Sequence, residues 1–571
     1  MPVSDDPIGR KGSIPKVATD SSGSTRRAPG AKVLQKVQAG EHPDTEQRES
    51  GISSKARAVF SRPPGAAFLL ACLLALPILS LFPHGVSIRS SDSAVVLNTA
   101  SYVNEVDPSW LLKSQEPALL QLVYGPWLDD IESSRPLIVI PLLTTVLLVG
   151  IAGSLAARVT ASTVAGVFAA LLLMSMRVPI PQARLLPLYS GFIAAGMLGV
   201  WFAIKFVRDD STLRLALGAS LLVLGAMIAH GAGLYFLTLV LAMALFVSNR
   251  ETLERYLKLV AIQLAVLSPW LLSHLWHGGL EAFLSPRSTW FVVGGHLGIV
   301  TRDFWDQGVF TAGDLVTLIP QQFLVALGWT AWLALPLSVL GFLKLALRSR
   351  LFVIVATLGL VAPMALYSTR VFDRYFYPLL PGLAILAALG AVSLARIVKS
   401  SRHGRVVPVL GILLPVVLVG SLLSLTNTLA VANEDEERQE RKELRRVGRL
   451  INDDRAVIAS RRSTVIALEA PDVFVYYADV LSEREFVSFM TWHRDSVIRL
   501  LKERDIGWAL IRKPQYVEVS YNSTWMEPAY GEKPTYAKAL QSDPMSCLVH
   551  HGQLYKLYKL TPPASQEGRC L

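Results

Sequence analysis

Recurring apolar runs of one particular length constrain this chain more than any other feature. From position 66 onward, runs of roughly 17–25 residues return again and again, the length an α-helix needs to cross about 30 Å of hydrocarbon. They fall at 66–83, 136–153, 161–176, 186–206, 213–229, 232–247, 257–275, 321–343, 351–367, 375–397 and 406–429. With 52% of its 571 residues hydrophobic and only 17% charged, the chain is a poor water-soluble globule. The expected fold class is a polytopic all-α membrane protein with about eleven transmembrane helices. The first run lies behind roughly sixty polar residues, too far along for a signal peptide.

Charge sets an orientation. With the N-terminus cytoplasmic, the inner loops carry Arg158, then Lys205, Arg208 and Arg214, then Arg250, Arg255 and Lys258. Lys344, Arg348 and Arg350 follow, and Arg396, Lys399, Arg402 and Arg405 close the series. The short outer loops carry only Arg177, Arg184, Arg370 and Arg374. This is the positive-inside bias, and it predicts a multi-pass plasma (bacterial inner) membrane protein with its C-terminal segment outside. The formal charge of +11 then reflects topology and a basic tail, with no nucleic-acid partner expected. Three cysteines, Cys72, Cys547 and Cys570, give no metal spacing. Cys547 and Cys570 are candidates to pair in an oxidising exterior, which sequence leaves open.

Three regions follow. Residues 1–62 have the composition of a disordered cytoplasmic tail, ending in the basic "SSKARAVFSR". Residues 63–432 form the membrane domain, with two long outer loops at 84–135 and 276–320. Residues 433–571 begin with the charged helix "EDEERQERKELRRVGRLI". They continue through "AVIAS", "VFVYYA", a helix around "REFVSFMTWHRDSVIRLLKERD", "WALIRK" and "LYKLYKL". Short apolar strands alternating with a helix predict an extracytoplasmic α/β domain.

The 84–135 loop is the unusual one. Asp92 precedes a run in which Val96, Ala100 and Val103 share a helical face, and a second amphipathic run starts near Pro117. A loop tethered at both ends with such faces lies along the membrane surface. Asp92 then sits beside the outer boundary, and residue chemistry alone puts helix capping first among its roles. Glu105, Asp107 and Glu116 are further loop acids, and solvated charge is their simplest reading.

The order of these features resembles the multispanning glycosyltransferases of the C-type fold, such as the protein mannosyltransferases and aminoarabinose transferases. The resemblance runs from about Pro77 to Arg396 and more loosely beyond. Its residues are Ser91-Asp92-Ser93 after the first span, "SQEPALLQLVYGPWL" before the second, and "SSRPLIVIPLL" opening it. "QARLLPLY", "AHGAGLYF" and "RVFDRYFYPLLPGLAIL" continue the series. The resemblance implies single-sugar transfer from a polyprenyl-phosphate donor to a lipid, glycan or protein acceptor on the outer face. It makes Asp92 the catalytic base, and Arg184, Arg370, Arg374 and Tyr375 the donor-phosphate residues. Glu105, Asp107, Glu116 and His230 become candidate substrate contacts.

The chemistry suits such residues, because a phosphate leaving group needs cations and the acceptor hydroxyl needs a base. Each arginine also has a simpler role as an interfacial anchor, Arg370 and Arg374 also flank Asp373, and His230 also suits helix packing. The family often carries Asp-Glu where this chain has Asp92-Ser93, and His-Pro-Pro where it has Glu116-Pro117-Ala118. The loop between the third and fourth spans has no carboxylate, so no two-carboxylate metal site is expected and no cofactor is required. A need for a divalent metal stays open. The rival readings are a transporter or flippase for lipid-linked sugars, which calls for ionisable residues inside the spans, and a non-catalytic envelope-assembly partner.

Overall fold

A computed structural model describes residues 62–80, 123–124, 135–183, 189–209, 212–229, 233–284, 312–367, 373–400, 415–422, 434–451, 456–459, 474–476, 506–512 and 546–560. The tail at 1–61 and most of the 84–135 loop lie outside the described residues.

The apolar runs are helices. They are α1 (Pro63–Ser80), α2 (Arg135–Thr160), α3 (Thr163–Ser175), the short α4 (Pro179–Gln182), α5 (Tyr189–Arg208), α6 (Leu213–Ala229) and α7 (Leu234–Leu241). Then come α8 (Arg250–Leu284), α9 (Ala312–Leu327), α10 (Ala331–Lys344), α11 (Leu347–Tyr367) and α12 (Leu380–Ser400). Six segments among the described residues are long and apolar enough to cross a membrane: Pro63–Ser80, Val139–Thr160, Tyr189–Arg208, Arg250–Leu272, Ile319–Lys344 and Asp373–Arg396. Thr163–Ser175, Leu213–Ile228 and Leu234–Phe246 are shorter apolar helices. The chain is therefore a mostly helical membrane protein. Of the last expected run, at 406–429, only 415–422 is described, and it is helical.

Two boundaries differ from the sequence reading. Helix α8 continues to Leu284 and α9 starts at Ala312, so helix trims both ends of the expected 276–320 loop. Hydropathy falls at "SHLWHGG", yet nothing there breaks backbone hydrogen bonding as proline would. The expected continuous helix at 375–397 instead opens as a 3-10 segment, Asp373–Leu379, before α12. Pro378 and Pro381 remove two backbone donors there, which favours a short, tight turn over a regular helix start.

Small residues let the helices close on one another, the usual device where lipid supplies no hydrophobic drive. Gly341 of α10 and Gly390 of α12 face each other: a Cβ at Gly390 would fall 1.9 Å from the Leu337 carbonyl oxygen, and one at Gly341 2.0 Å from that of Leu386. Gly153 of α2 and Gly166 of α3 make a similar close approach, with ideal Cβ positions 3.1 and 2.5 Å from each other's carbonyl oxygens. Phe168, Phe192, Phe206, Phe236 and Phe376 fill the shared core.

The C-terminal region holds α13 (Glu434–Gly448) and a five-stranded mixed sheet. Its strands are β1 (Ala456–Ala459), β2 (Phe474–Tyr476), β3 (Ile506–Arg512), β4 (Cys547–His551) and β5 (Tyr555–Lys559), in the order β2-β1-β3-β5-β4. β1 pairs in parallel with β2 and β3, while β5 runs antiparallel to β3 and β4. Four strands fall on the expected apolar runs and β4 was not anticipated; the expected helix around 484–505 lies outside the described residues. Leu444 and Val447 of α13 pack on Val457, Trp508, Leu510 and Leu557 of the sheet.

A carboxylate fastens α13 to the β4–β5 turn. Glu443 accepts hydrogen bonds from the backbone N–H groups of Leu554 (2.9 Å) and Tyr555 (2.8 Å). Gly552 makes room for it, since a Cβ there would lie 1.9 Å from Glu443 Oε1. Cys547 is disulfide-bonded and Cys72 is free. Cys570 lies outside the described residues.

Candidate functional site

The 3-10 segment Asp373–Leu379, sequence DRYFYPL, is held in place by its buried members. Asp373 is only 7% exposed, and its Oδ1 accepts the N–H of Arg374 at 2.8 Å. An aspartate that accepts an adjacent backbone donor at the start of a turn fixes where that turn begins. Phe376 packs on Phe323 of α9 with ring centroids 5.4 Å apart.

Tyr377 is wholly buried, and its hydroxyl shares a hydrogen bond with the Ser190 hydroxyl of α5 at 2.9 Å. Ser190 shares a further hydrogen bond with Thr145 of α2 at 2.7 Å. Thr145 in turn donates to the Pro141 carbonyl one turn earlier at 2.9 Å, the local back-bond open to a helical threonine. Three hydroxyls thus tie the segment to α2 and α5 in a region where an unmet polar group is costly. Between these anchors Arg374 and Tyr375 remain half-buried.

A second arginine comes to the same place. Arg177 occupies the turn between α3 and α4 and is exposed. Its backbone N–H donates to the Ala326 carbonyl of α9 at 3.1 Å. Gly328, at φ +60°, lies alongside, with its ideal Cβ position 3.6 Å from Arg177 Cβ. Helix α9 thus contacts both turns, the one that carries Arg177 and the one that carries Asp373 and Arg374. Among the described residues of the helical bundle, Asp373 is the one buried charged side chain.

Arg374 and Tyr375 are thus positioned by named contacts around them. Asp92, Glu105, Asp107, Glu116, Arg184, His230 and Arg370 lie outside the described residues. Arg177 was read from sequence only as an outer-loop charge; no motif surrounds it, and its sole signal was a cation on a short loop before Pro179. Neither the burial of Asp373 nor the Thr145–Ser190–Tyr377 chain was anticipated. Within the 84–135 loop, Val123 and Tyr124 are helical, in the second expected amphipathic run. Tyr124 is fully buried, and burial pushes its phenol well above the ordinary range, so it stays protonated. Among the described residues no three His, Cys, Asp or Glu side chains gather as a metal site would.

No protein-family model matches the chain, and no curated protein sequence matches it significantly. Solved structures do. ArnT from Cupriavidus metallidurans bound to undecaprenyl phosphate is similar over 90% of this chain and 100% of its own, at 14% identity and a TM-score of 0.53. The apo state of the same protein gives a TM-score of 0.55 at the same identity and coverage. The archaeal oligosaccharyltransferase AglB from Archaeoglobus fulgidus, in complex with an inhibitory peptide and a dolichol-phosphate, is 11% identical with a TM-score of 0.48. It covers 87% of this chain and 74% of that one. The resemblance to the C-type-fold membrane glycosyltransferases, read from motif order, is therefore borne out as a likeness of fold to ArnT across nearly the whole chain.

Proposed function

We propose that this protein is a membrane glycosyltransferase that moves a single sugar from a polyprenyl-phosphate donor to a lipid, glycan or protein acceptor on the outer face of the membrane. The observation that carries the reading is the DRYFYPL segment, which holds Arg374 beside a buried carboxylate in a fold shared with a protein that binds undecaprenyl phosphate.

The chemistry follows from charge. The bond between the anomeric carbon and the phosphate oxygen breaks, and its electron pair stays on the phosphate. The acceptor oxygen bonds to the same carbon, and its proton passes to a base. The phosphate leaves without acid assistance when cations meet its growing charge, the task assigned to Arg374 with Arg184 and Arg370. Tyr375 offers a neutral hydrogen bond beside Arg374. Asp92 is the base, and Glu105, Asp107, Glu116 and His230 are the residues available to orient the acceptor. The reading requires no cofactor.

A flippase or transporter would call for ionisable groups along its helices. The buried polar side chains among the described residues of the bundle are instead neutral, as with Thr145, Ser190, Ser220, Gln263, Gln322 and Ser338, apart from Asp373 at one helix start.

The test is a membrane assay with a panel of polyprenyl-phosphate sugars, reading label in lipid, glycan and protein fractions. Transfer from at least one donor is expected. Label that crosses the bilayer still attached to its carrier, with none transferred, would replace this reading with the flippase. Reporter fusions after Leu571 test the orientation: an export-dependent reporter should be active, and activity of a cytoplasm-only reporter would rule out an outer-face site.

A further inference from the structure

We infer that Arg177, on a turn held by the same helix as the Asp373–Arg374 segment, is a second phosphate ligand; this rests on the polyprenyl-phosphate reading above and names a cation that reading lacks.

Three observations converge on it. The first is placement. Phe323 and Ala326 lie within one turn of each other near the end of α9. Phe323 packs on Phe376 of the DRYFYPL segment, and Ala326 accepts the Arg177 backbone N–H at 3.1 Å. The last turns of one helix therefore contact both arginine-bearing segments, although they lie far apart in sequence.

The second observation is charge. A carboxylate as buried as Asp373, 7% exposed, survives in a helical bundle only with compensation. One of its oxygens accepts the Arg374 N–H at 2.8 Å, and Arg374 and Arg177 are the cations on the two turns that α9 contacts. Two guanidinium groups against one carboxylate leave a net positive charge. A phosphodiester donor carries one negative charge; the monoester left after sugar transfer carries about 1.5 to 2. A site with one arginine shared with a carboxylate and another able to turn away from it matches both states.

The third observation is exposure. Arg177 is exposed, whereas Arg374 is half-buried and its backbone is pinned by Asp373. A long guanidinium side chain on a fixed turn can exchange a carboxylate for a phosphate without moving the backbone. Its planar fork suits both partners.

The experiment uses the purified full-length protein in lipid nanodiscs, with farnesyl phosphate as the probe and farnesol as its uncharged counterpart, so binding is read without any transfer reaction. Wild type should prefer the phosphate. Arg177→Ala should weaken farnesyl phosphate binding about 10- to 100-fold and leave farnesol unchanged, as loss of a charge-assisted contact implies. Arg177→Lys should recover part of the loss, because it restores charge without the fork. Wild-type affinity in Arg177→Ala, beside a clear loss in Arg374→Ala, would overturn the inference and leave the donor-site reading standing. Failure of the wild type to distinguish farnesyl phosphate from farnesol would overturn both.

Discussion

Replacing Gly390 by alanine should loosen the bundle at the helix that follows the candidate site. Gly390 of α12 lies against the backbone of α10, and an added Cβ would fall 1.9 Å from the Leu337 carbonyl oxygen and 3.0 Å from the Gly341 nitrogen. Cβ atoms essentially never approach within 3.0 Å, so the helices must part by about 1.1 Å at that point. Backbone is what the methyl group meets, and no side-chain rotation relieves it. The Ser338 hydroxyl donates to the Leu383 carbonyl across the same interface at 2.9 Å. Parting the helices by that amount stretches this bond to about 4 Å, where it no longer counts as one. Overpacking costs about 1–3 kcal/mol. The lost interhelical bond adds about 0.6–1.7 kcal/mol. Alanine returns about 1 kcal/mol of helix propensity. The net expectation is a destabilisation of about 0.6–3.7 kcal/mol. Thermal unfolding of the purified protein in detergent measures it. Gly225→Ala is the control, because Gly225 lies in helix α6 with nothing within 4 Å of its Cβ position. If Gly390→Ala unfolds at the same temperature as Gly225→Ala, the close α10–α12 approach is not real and the reasoning fails.

Tyr377→Phe removes one end of the hydroxyl chain through Ser190 and Thr145, and should cost about 0.5–1.5 kcal/mol of stability. Donor concentration dependence should also rise if that chain positions Arg374; a purely thermal effect with unchanged donor use would detach the chain from the site. Glu443→Ala leaves the Leu554 and Tyr555 N–H groups without their acceptor. Amide exchange at 552–555 should accelerate, consistent with about 1–3 kcal/mol per unmet group, and unchanged protection would show that the carboxylate does not fasten α13 to the sheet. Asp92→Asn keeps the capping capacity of the side chain and removes the base. At equal membrane abundance, transfer should fall by roughly 10²–10⁴, and near wild-type turnover would leave Asp92 a capping residue and move the test to Glu105, Asp107 and Glu116.

What could be read from sequence was what depends on neighbours along the chain. Apolar run length specifies a helix in hydrocarbon whatever it packs against, so the helices lie near the expected positions. The strands at 456–459, 474–476, 506–512 and 555–559 also announced themselves, through short β-rich runs. Strand Cys547–His551 did not, because "CLVHH" mixes apolar and titratable residues and owes its place to pairing with β5. The site shows the same division more sharply. Arg374 and Tyr375 could be named as candidates because a local motif surrounds them. Ser190 and Tyr377 are 187 positions apart, and neither a serine nor a tyrosine at a helix start marks its partner in advance. Arg177 has no motif either. What makes it a candidate is its contact with α9, the helix that also packs on the DRYFYPL segment, and that is a property of packing. A cation in an outer loop is ordinarily an anchor; Arg177 differs in that its backbone is fixed to α9, the helix that also packs on the turn of the buried Asp373, which is the arrangement the Arg177→Ala binding test examines.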